Sequence, residues 1–185
     1  GAGSFDATST FVWDNVNGRL GIGVNNPLTK LHIAGDGAIL ATGTVGTGWD
    51  GETLGGGTRL MWIPNKAAFR AGYVENNEWN NSNIGDYSAA FGYNGIASGA
   101  DSFVGGGYGN TASGANSFIA GGWYGGAFGS NSFIAAGGMT SASGEYAVAF
   151  GRNLNVLSNY SFGINLDEEE NSYSLSQTST MAIMG

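Results

Sequence analysis

A short period governs the second half of this chain. The octet Gly85-Asp86-Tyr87-Ser88-Ala89-Ala90-Phe91-Gly92 returns in varied form from Gly99, Gly114, Gly129, Gly144 and Ser158, at spacings of 14, 15, 15, 15 and 14 residues. Helical repeats need roughly 33 residues or more, so a helical solenoid is excluded. The length suits one coil of a narrow β-roll: two short extended runs and two tight turns, each coil pairing backbone to backbone with the next. The second half of each unit closes as Ala97-Ser98-Gly99, Ala112-Ser113-Gly114, Ala127-Phe128-Gly129 and Ala142-Ser143-Gly144. Glycine is expected here to supply turn positions of positive φ.

Side chains alternate across a strand. Ser102, Val104 and Gly106 therefore share one face, and Phe103 and Gly105 the other. One face brings Ala89, Phe103, Phe118, Phe133, Val148 and Phe162 into a single apolar file. A two-strand coil has too little interior to bury that file, and a soluble monomer rarely exposes so continuous a patch. Burial along a common three-fold axis is the expectation, with these six residues as the trimer core. A wider monomeric solenoid enclosing the phenylalanines is the alternative.

Composition limits the remaining choices. Glycine supplies 35 of 185 residues, but with 2 prolines and no Gly-x-y period collagen is excluded. Hydrophobic residues reach 42%, too many for a disordered Gly/Ser linker. The net charge of −8 argues against binding to nucleic acid. With no cysteine there is no disulfide framework, thiol nucleophile or cysteine metal site. Residues 102–144 carry no charge, but Gly, Ser and Asn interrupt them throughout, so direct membrane insertion is not expected.

Around Asn116-Ser117-Phe118-Ile119-Ala120-Gly121 and Asn131-Ser132-Phe133-Ile134-Ala135-Ala136, the sequence resembles the head repeats of trimeric autotransporter adhesins. Those heads carry a pattern of the type Asn-Ser-x-Ala-x-Gly…Ala-x-Gly. The resemblance spans residues 85–166, which is 82 of the 185. Phe stands where the family has a smaller aliphatic residue, and three steps are 15 long. The resemblance implies a left-handed parallel β-roll, trimeric, projecting from a cell surface and binding host or environmental matrix. Upstream, the 18 residues from Gly18 to Gly35 resemble a module of phage tail fibres and long bacterial surface proteins. There Arg19–Val24 reads as a strand, Asn25-Asn26-Pro27 as a turn and Lys30–Ala34 as a second strand.

The expected fold is thus all-β: a trimeric parallel β-roll (β-solenoid) of 14–15-residue coils behind a small β entry and capping module. Residues 1–40 form the entry module and 41–84 a Gly/Thr-rich connection with a β cap. In the cap, 58–74 read as strand, turn and strand around Pro64-Asn65. Residues 85–166 are the roll, and 167–185 a terminal module or neck start, because the period fails at Asp167-Glu168-Glu169-Glu170. Opening on Gly1-Ala2-Gly3 is what a processed product or a fragment of a longer fibre would show.

Chemistry is sparse. The single histidine, His32, reads as an ordinary strand side chain, and no Ser-His-Asp, Cys-His or zinc set can be assembled. Within the roll only Asp86, Asp101, Glu145 and Arg152 are charged, a poor supply for acid–base work. Gly105-Gly106-Gly107-Tyr108-Gly109-Asn110 lacks the Gly-Lys-Ser/Thr ending of a phosphate loop and the calcium-roll pattern. No catalytic residue and no cofactor is expected. The acidic run Asp167, Glu168, Glu169 and Glu170 could hold Ca²⁺ between three chains, or simply form a solvated turn. Trp123, Tyr124 and Trp79 are candidate ligand-facing aromatics for a sugar ring or a protein partner, with packing as the alternative.

The functional expectation is a structural and adhesive module of an extracellular homotrimeric fibre, meeting a surface glycan or matrix protein. A phage or virus tail-fibre segment is the alternative. A third class, an ice- or polysaccharide-binding solenoid, would call for continuous threonine ranks, and the roll has only Thr111 and Thr140.

Overall fold

In a computed structural model of the chain, the structure describes residues 11–167 and 171–184. The chain divides into two units, Gly1–Ala41 and Thr42–Gly185.

In the first unit, β1 (Phe11–Asp14) runs antiparallel to β2 (Arg19–Ile22), which pairs parallel with β3 (Leu31–Ile33). Asp14 makes the turn between β1 and β2: its carboxylate accepts the backbone N–H groups of Val16 and Asn17 and the side-chain amide of Asn17. The connection to β3 is tied down by Arg19, which donates to the Pro27 carbonyl at 2.9 Å, and by Lys30, which donates to the Asn17 carbonyl at 2.9 Å. His32 accepts the Leu28 N–H through Nδ1, the ordinary role expected of it.

The second unit is a β-solenoid. It opens with an antiparallel pair, β4 (Gly57–Ile63) and β5 (Ala68–Val74), turned by a single 3₁₀ turn at Pro64–Lys66. The coils follow as β6 (Ala89–Tyr93), β7 (Ile96–Ala97), β8 (Phe103–Val104), β9 (Thr111–Ala112), β10 (Phe118–Ile119) and β11 (Gly126–Ala127). They continue as β12 (Phe133–Ile134), β13 (Ser141–Ala142), β14 (Val148–Gly151), β15 (Leu154–Val156), β16 (Phe162–Asn165), β17 (Tyr173–Leu175) and β18 (Met181–Met184). Even-numbered strands stack parallel into a nine-stranded sheet with β4 and β5, and odd-numbered strands β7 to β17 into a six-stranded one.

A thin core lies between the two sheets. From the first sheet Ala90, Val104, Ile119, Ile134, Ala149, Gly163 and Ala182 line up in register. From the second come Ala97, Ala112, Ala127, Ala142, Val156 and Leu175. The volumes compensate. Where the second sheet carries alanine, the first carries Val104, Ile119 and Ile134; where the second sheet swells to Leu154 and Val156, the first shrinks to Ala149 and Gly163. A β-carbon on Gly163 would already sit 3.0 Å from Leu154 Cδ2. Protein interiors hold close to one packing density, so large must face small across so narrow a gap.

Gly92, Gly107, Gly122 and Gly151 take the positive φ expected of turn glycines, whereas the glycines that open each repeat serve another purpose. A β-carbon on Gly114 would stand 2.0 Å from the carbonyl oxygen of Gly129, one coil on. Gly85, Gly99, Gly129 and Gly144 meet the next coil in the same way. These glycines form a column where backbone rests on backbone. The left-handed residue of that corner comes two places later, at Tyr87, Asp101, Asn116, Asn131, Tyr146 and Tyr160. Asp and Asn tolerate that region better than other side chains.

The period fails at Asp167 as expected, but the roll does not end there. β17 pairs with β15 and β18 with β16, both parallel, so residues 173–184 add one more coil to the same roll where a terminal module was expected. The step from Phe162 to its partner Met181 is 19 residues, and the extra length includes the acidic run.

Candidate functional site

The outer face of the nine-stranded sheet carries the expected apolar file. Trp62, Phe69, Ala89, Phe103, Phe118, Phe133, Val148, Phe162 and Met181 stand in register across it. A second file two residues along begins Leu60, Ala71, Phe91 and ends Phe150, Ile164, Ile183. Successive rings touch: centroids lie 5.9 Å apart for Phe91 and Phe103, 4.9 Å for Phe103 and Phe118, and 5.4 Å for Phe118 and Phe133. Phe91 leans over the gap left by Ala89. Neither file contains a charged residue, and Leu60, Phe118, Phe150, Met181 and Ile183 are exposed on the single chain.

Trp79 does not face a ligand. It is 2% exposed and packs with Met61, Ile63, Ala68, Val74 and Ile84, while its indole N–H donates to the Gly95 carbonyl at 2.8 Å. The excursion 75–84 folds back over the opening hairpin, pinned by Lys66, whose ammonium donates to the carbonyls of Asn81 and Ile84. Its asparagines bond one another and the backbone around the buried ring. The polar neighbours of Trp79 form the outer skin of a small cap core.

Arg70 was not singled out from the sequence. It occupies the first inward position of the core file, in register with Ala90, and is fully buried. Its guanidinium donates to the carbonyls of Phe69, Ser88 and Ala97 and to the Ser88 hydroxyl. Desolvation pushes it down to about 10, so it stays protonated at neutral pH. Its place in an otherwise alternating strand could have signalled it.

A second aromatic file runs along one edge of the roll. Tyr93, Tyr108, Trp123 and Gly138 bridge in register. Tyr73 meets Tyr93 at 5.0 Å, and Tyr93 stacks on Tyr108 at 4.7 Å. The Tyr93 hydroxyl donates to the Glu75 carboxylate, to which the Asn94 amide also donates at 3.0 Å. These bonds hold Glu75 below the usual carboxylate range, and the adjacent carboxylate raises the Tyr93 phenol. The Tyr108 phenol is raised as well, first through its hydrogen bond with Tyr124.

Trp123 and Tyr124, both candidates from the sequence, are 40% and 54% exposed. Their rings meet edge to face at 6.0 Å. The Trp123 indole lies over Gly138, and Tyr124 lies over Gly109. Only Tyr124 borders a groove on the outer face of the six-stranded sheet. That groove measures about 360 Å³, with Phe128 and Met139 as its other bulky walls and Thr111, Ser141 and Asn155 among its polar lining. Buried polar groups brace it from behind. Asn110 Oδ1 accepts the Gly125 N–H at 2.7 Å, and the Thr140 hydroxyl donates to the Gly151 carbonyl at 2.7 Å. The Ser141 hydroxyl donates to Asn155 Oδ1 at 2.7 Å.

Of the acidic run, Asp167 accepts from the Tyr173 hydroxyl at 2.7 Å; Glu168, Glu169 and Glu170 lie outside the described residues. Among the described residues no three His, Cys, Asp or Glu side chains gather as a metal set, and no helix is long and apolar enough to cross a membrane. Comparison with protein-family models, curated proteins and solved structures finds no match.

Proposed function

We propose that this chain is a structural and adhesive segment of an extracellular fibre, assembled as a homotrimer through the outer face of its nine-stranded sheet. The supporting observation is the uncharged double file on that face. Nine strands at ~4.8 Å spacing make it roughly 40 Å long, and its rings stack on each other without being covered. A face of that length and chemistry suits burial against copies of itself. The resemblance to adhesin heads suggests three copies. The opposite sheet, with its small polar outer residues, would then form the exposed exterior of the fibre. No part of the reading requires catalysis.

The module at Gly18–Gly35 favours a second reading, a phage or virus tail-fibre segment, in which the same stiff roll serves host recognition. Binding to intact bacteria would favour the tail fibre, and binding to immobilised matrix protein the adhesin.

Sedimentation equilibrium of the full chain tests assembly. A mass three times that of the chain is expected, falling to one chain mass when Phe118 and Phe133 are both changed to Asp, with the β-sheet circular dichroism retained. A wild-type monomer or dimer at micromolar concentration would overturn the proposal.

A further inference from the structure

The coil that runs from Gly114 to Phe128 departs from its neighbours at three points within five residues. At the corner where other coils place Asn94, Gly109, Met139 and Asn153, it places the aromatic Tyr124, held in left-handed backbone at φ 52°. In register with Ile96, Thr111, Ser141 and Asn155, it carries Gly126. Where the other coils carry Ser98, Ser113, Ser143 and Leu157, it carries the only aromatic ring, Phe128. The Phe128 ring folds across Gly126, where a β-carbon would come within 2.2 Å of it. Each departure adds or accommodates an aromatic ring at one groove, and both rings remain at least half exposed.

Stability does not account for this. Left-handed backbone suits Asn and Gly and disfavours a bulky side chain. Tyr124 and Met139, the two bulky residues at that corner, both line the groove. Tyr87, Tyr146 and Tyr160 occupy the same backbone region at the other corner; what sets Tyr124 and Met139 apart is that both converge with Phe128 on one groove.

The lining chemistry selects the ligand. No charged residue borders the groove, and residues 102–144 contain none, so an anionic or cationic ligand would be desolvated without a counter-charge. A purely apolar ligand would cover the Thr111 hydroxyl, which has no partner among the described residues, and the Asn155 amide. A peptide strand has no edge to join, because β11 is already paired on both sides by β9 and β13. The remaining class is neutral, with apolar C–H faces and many hydroxyls. We infer that the groove between Tyr124 and Phe128 binds a neutral saccharide, whose ring stacks on these aromatics while its hydroxyls bond Thr111, Ser141 and Asn155. A volume of about 360 Å³ falls within the range of small-ligand sites. The bracing by Asn110 and Thr140 lowers the ordering that binding would require.

The groove belongs to one chain and lies on the sheet opposite the apolar file. It shares with the fibre reading only the requirement that this face stay open to solvent, and oligomeric state measured on the same samples reports on that reading separately.

The test titrates the full chain with neutral hexasaccharides of glucose, mannose and galactose, and with a galacturonate hexasaccharide, using calorimetry and saturation-transfer NMR. At least one neutral sugar should bind saturably, and the galacturonate more weakly. Tyr124→Asn, which suits the left-handed corner, and Phe128→Ser, which restores the neighbours' residue, should each weaken binding by about tenfold or more. Their melting temperatures should equal or exceed that of the wild type. The inference is overturned if none of the neutral sugars saturates, if the charged sugar binds best, or if affinity survives both substitutions.

Discussion

Arg70 Nη2 donates to the carbonyl oxygen of Ala97 at 2.8 Å, across 27 residues of sequence. Arg70 stands on β5 in the first sheet and Ala97 on β7 in the second, so this bond ties the opening hairpin to both walls of the first coil. A solenoid end must cover an open core and unpaired strand edges, and here one buried guanidinium fills the end of the core. Arg70→Ala is expected to cost about 2–5 kcal/mol, because it leaves both a cavity and poorly satisfied carbonyls. Arg70→Met, which keeps most of the volume, should cost about half as much. Urea denaturation of the two variants checks the order.

Coil stacking depends on the absence of a side chain at one place per turn. Gly114→Ala should destabilise the roll by about 3 kcal/mol or more, because the methyl would meet the Gly129 carbonyl oxygen, which cannot move aside as a flexible side chain can. Gly121→Ala, where a β-carbon meets nothing within 4 Å, should stay within about 0.5 kcal/mol of wild type. Thermal melts of the pair separate close approach from a general preference for glycine.

Volume compensation across the core predicts coupling. Gly163→Val should be destabilising, since Leu154 and Val156 already crowd that position. Leu154→Ala should cost about 2–5 kcal/mol alone. The double variant should lose less than the sum of the two by roughly 1 kcal/mol or more, the mark of side chains sharing one space. A double-mutant cycle in urea measures this.

The Glu75 clasp sets an acid dependence. Its carboxyl lies below its ordinary value of 4.5 through bonds to Tyr93 and Asn94. Between the folded and unfolded values the unfolded chain binds more protons, so stability rises with pH there. The contribution is complete above the ordinary value and lost as pH falls through the folded one. Wild type should therefore melt above Glu75→Gln at pH 7, with the difference fading in acid below pH 4.5. Melting curves across that range, with an NMR titration of the Glu75 carboxyl, check the sign.

Much of this architecture was written in local pattern. The 14–15-residue step makes a narrow coil unavoidable, and two-residue alternation places Phe103, Phe118 and Phe133 on one face, because a parallel pairing of equal repeats permits one register. The groove left a trace as well: Phe128 stands where its neighbouring coils carry Ser98, Ser113 and Ser143, a break visible by aligning the repeats. What local pattern could not convey was where chain segments separated by long loops would come to rest. Trp79 among asparagines left ligand contact and packing both open, and only the excursion that carries it, by folding back, buries it. A 19-residue step hid the last coil, since an insertion changes the period without changing the sheet it rejoins. Arg70 drew no notice in the sequence, because its burial depends on acceptors at Ser88 and Ala97 that meet only once the first coil closes. The sequence by itself determined the period, the alternation and the outward apolar file, because these follow from each residue's immediate neighbours. The tertiary structure alone decided which glycines touch backbone, which cation fills the core end and which aromatic rings stay in water, because burial depends on atoms that are distant along the chain.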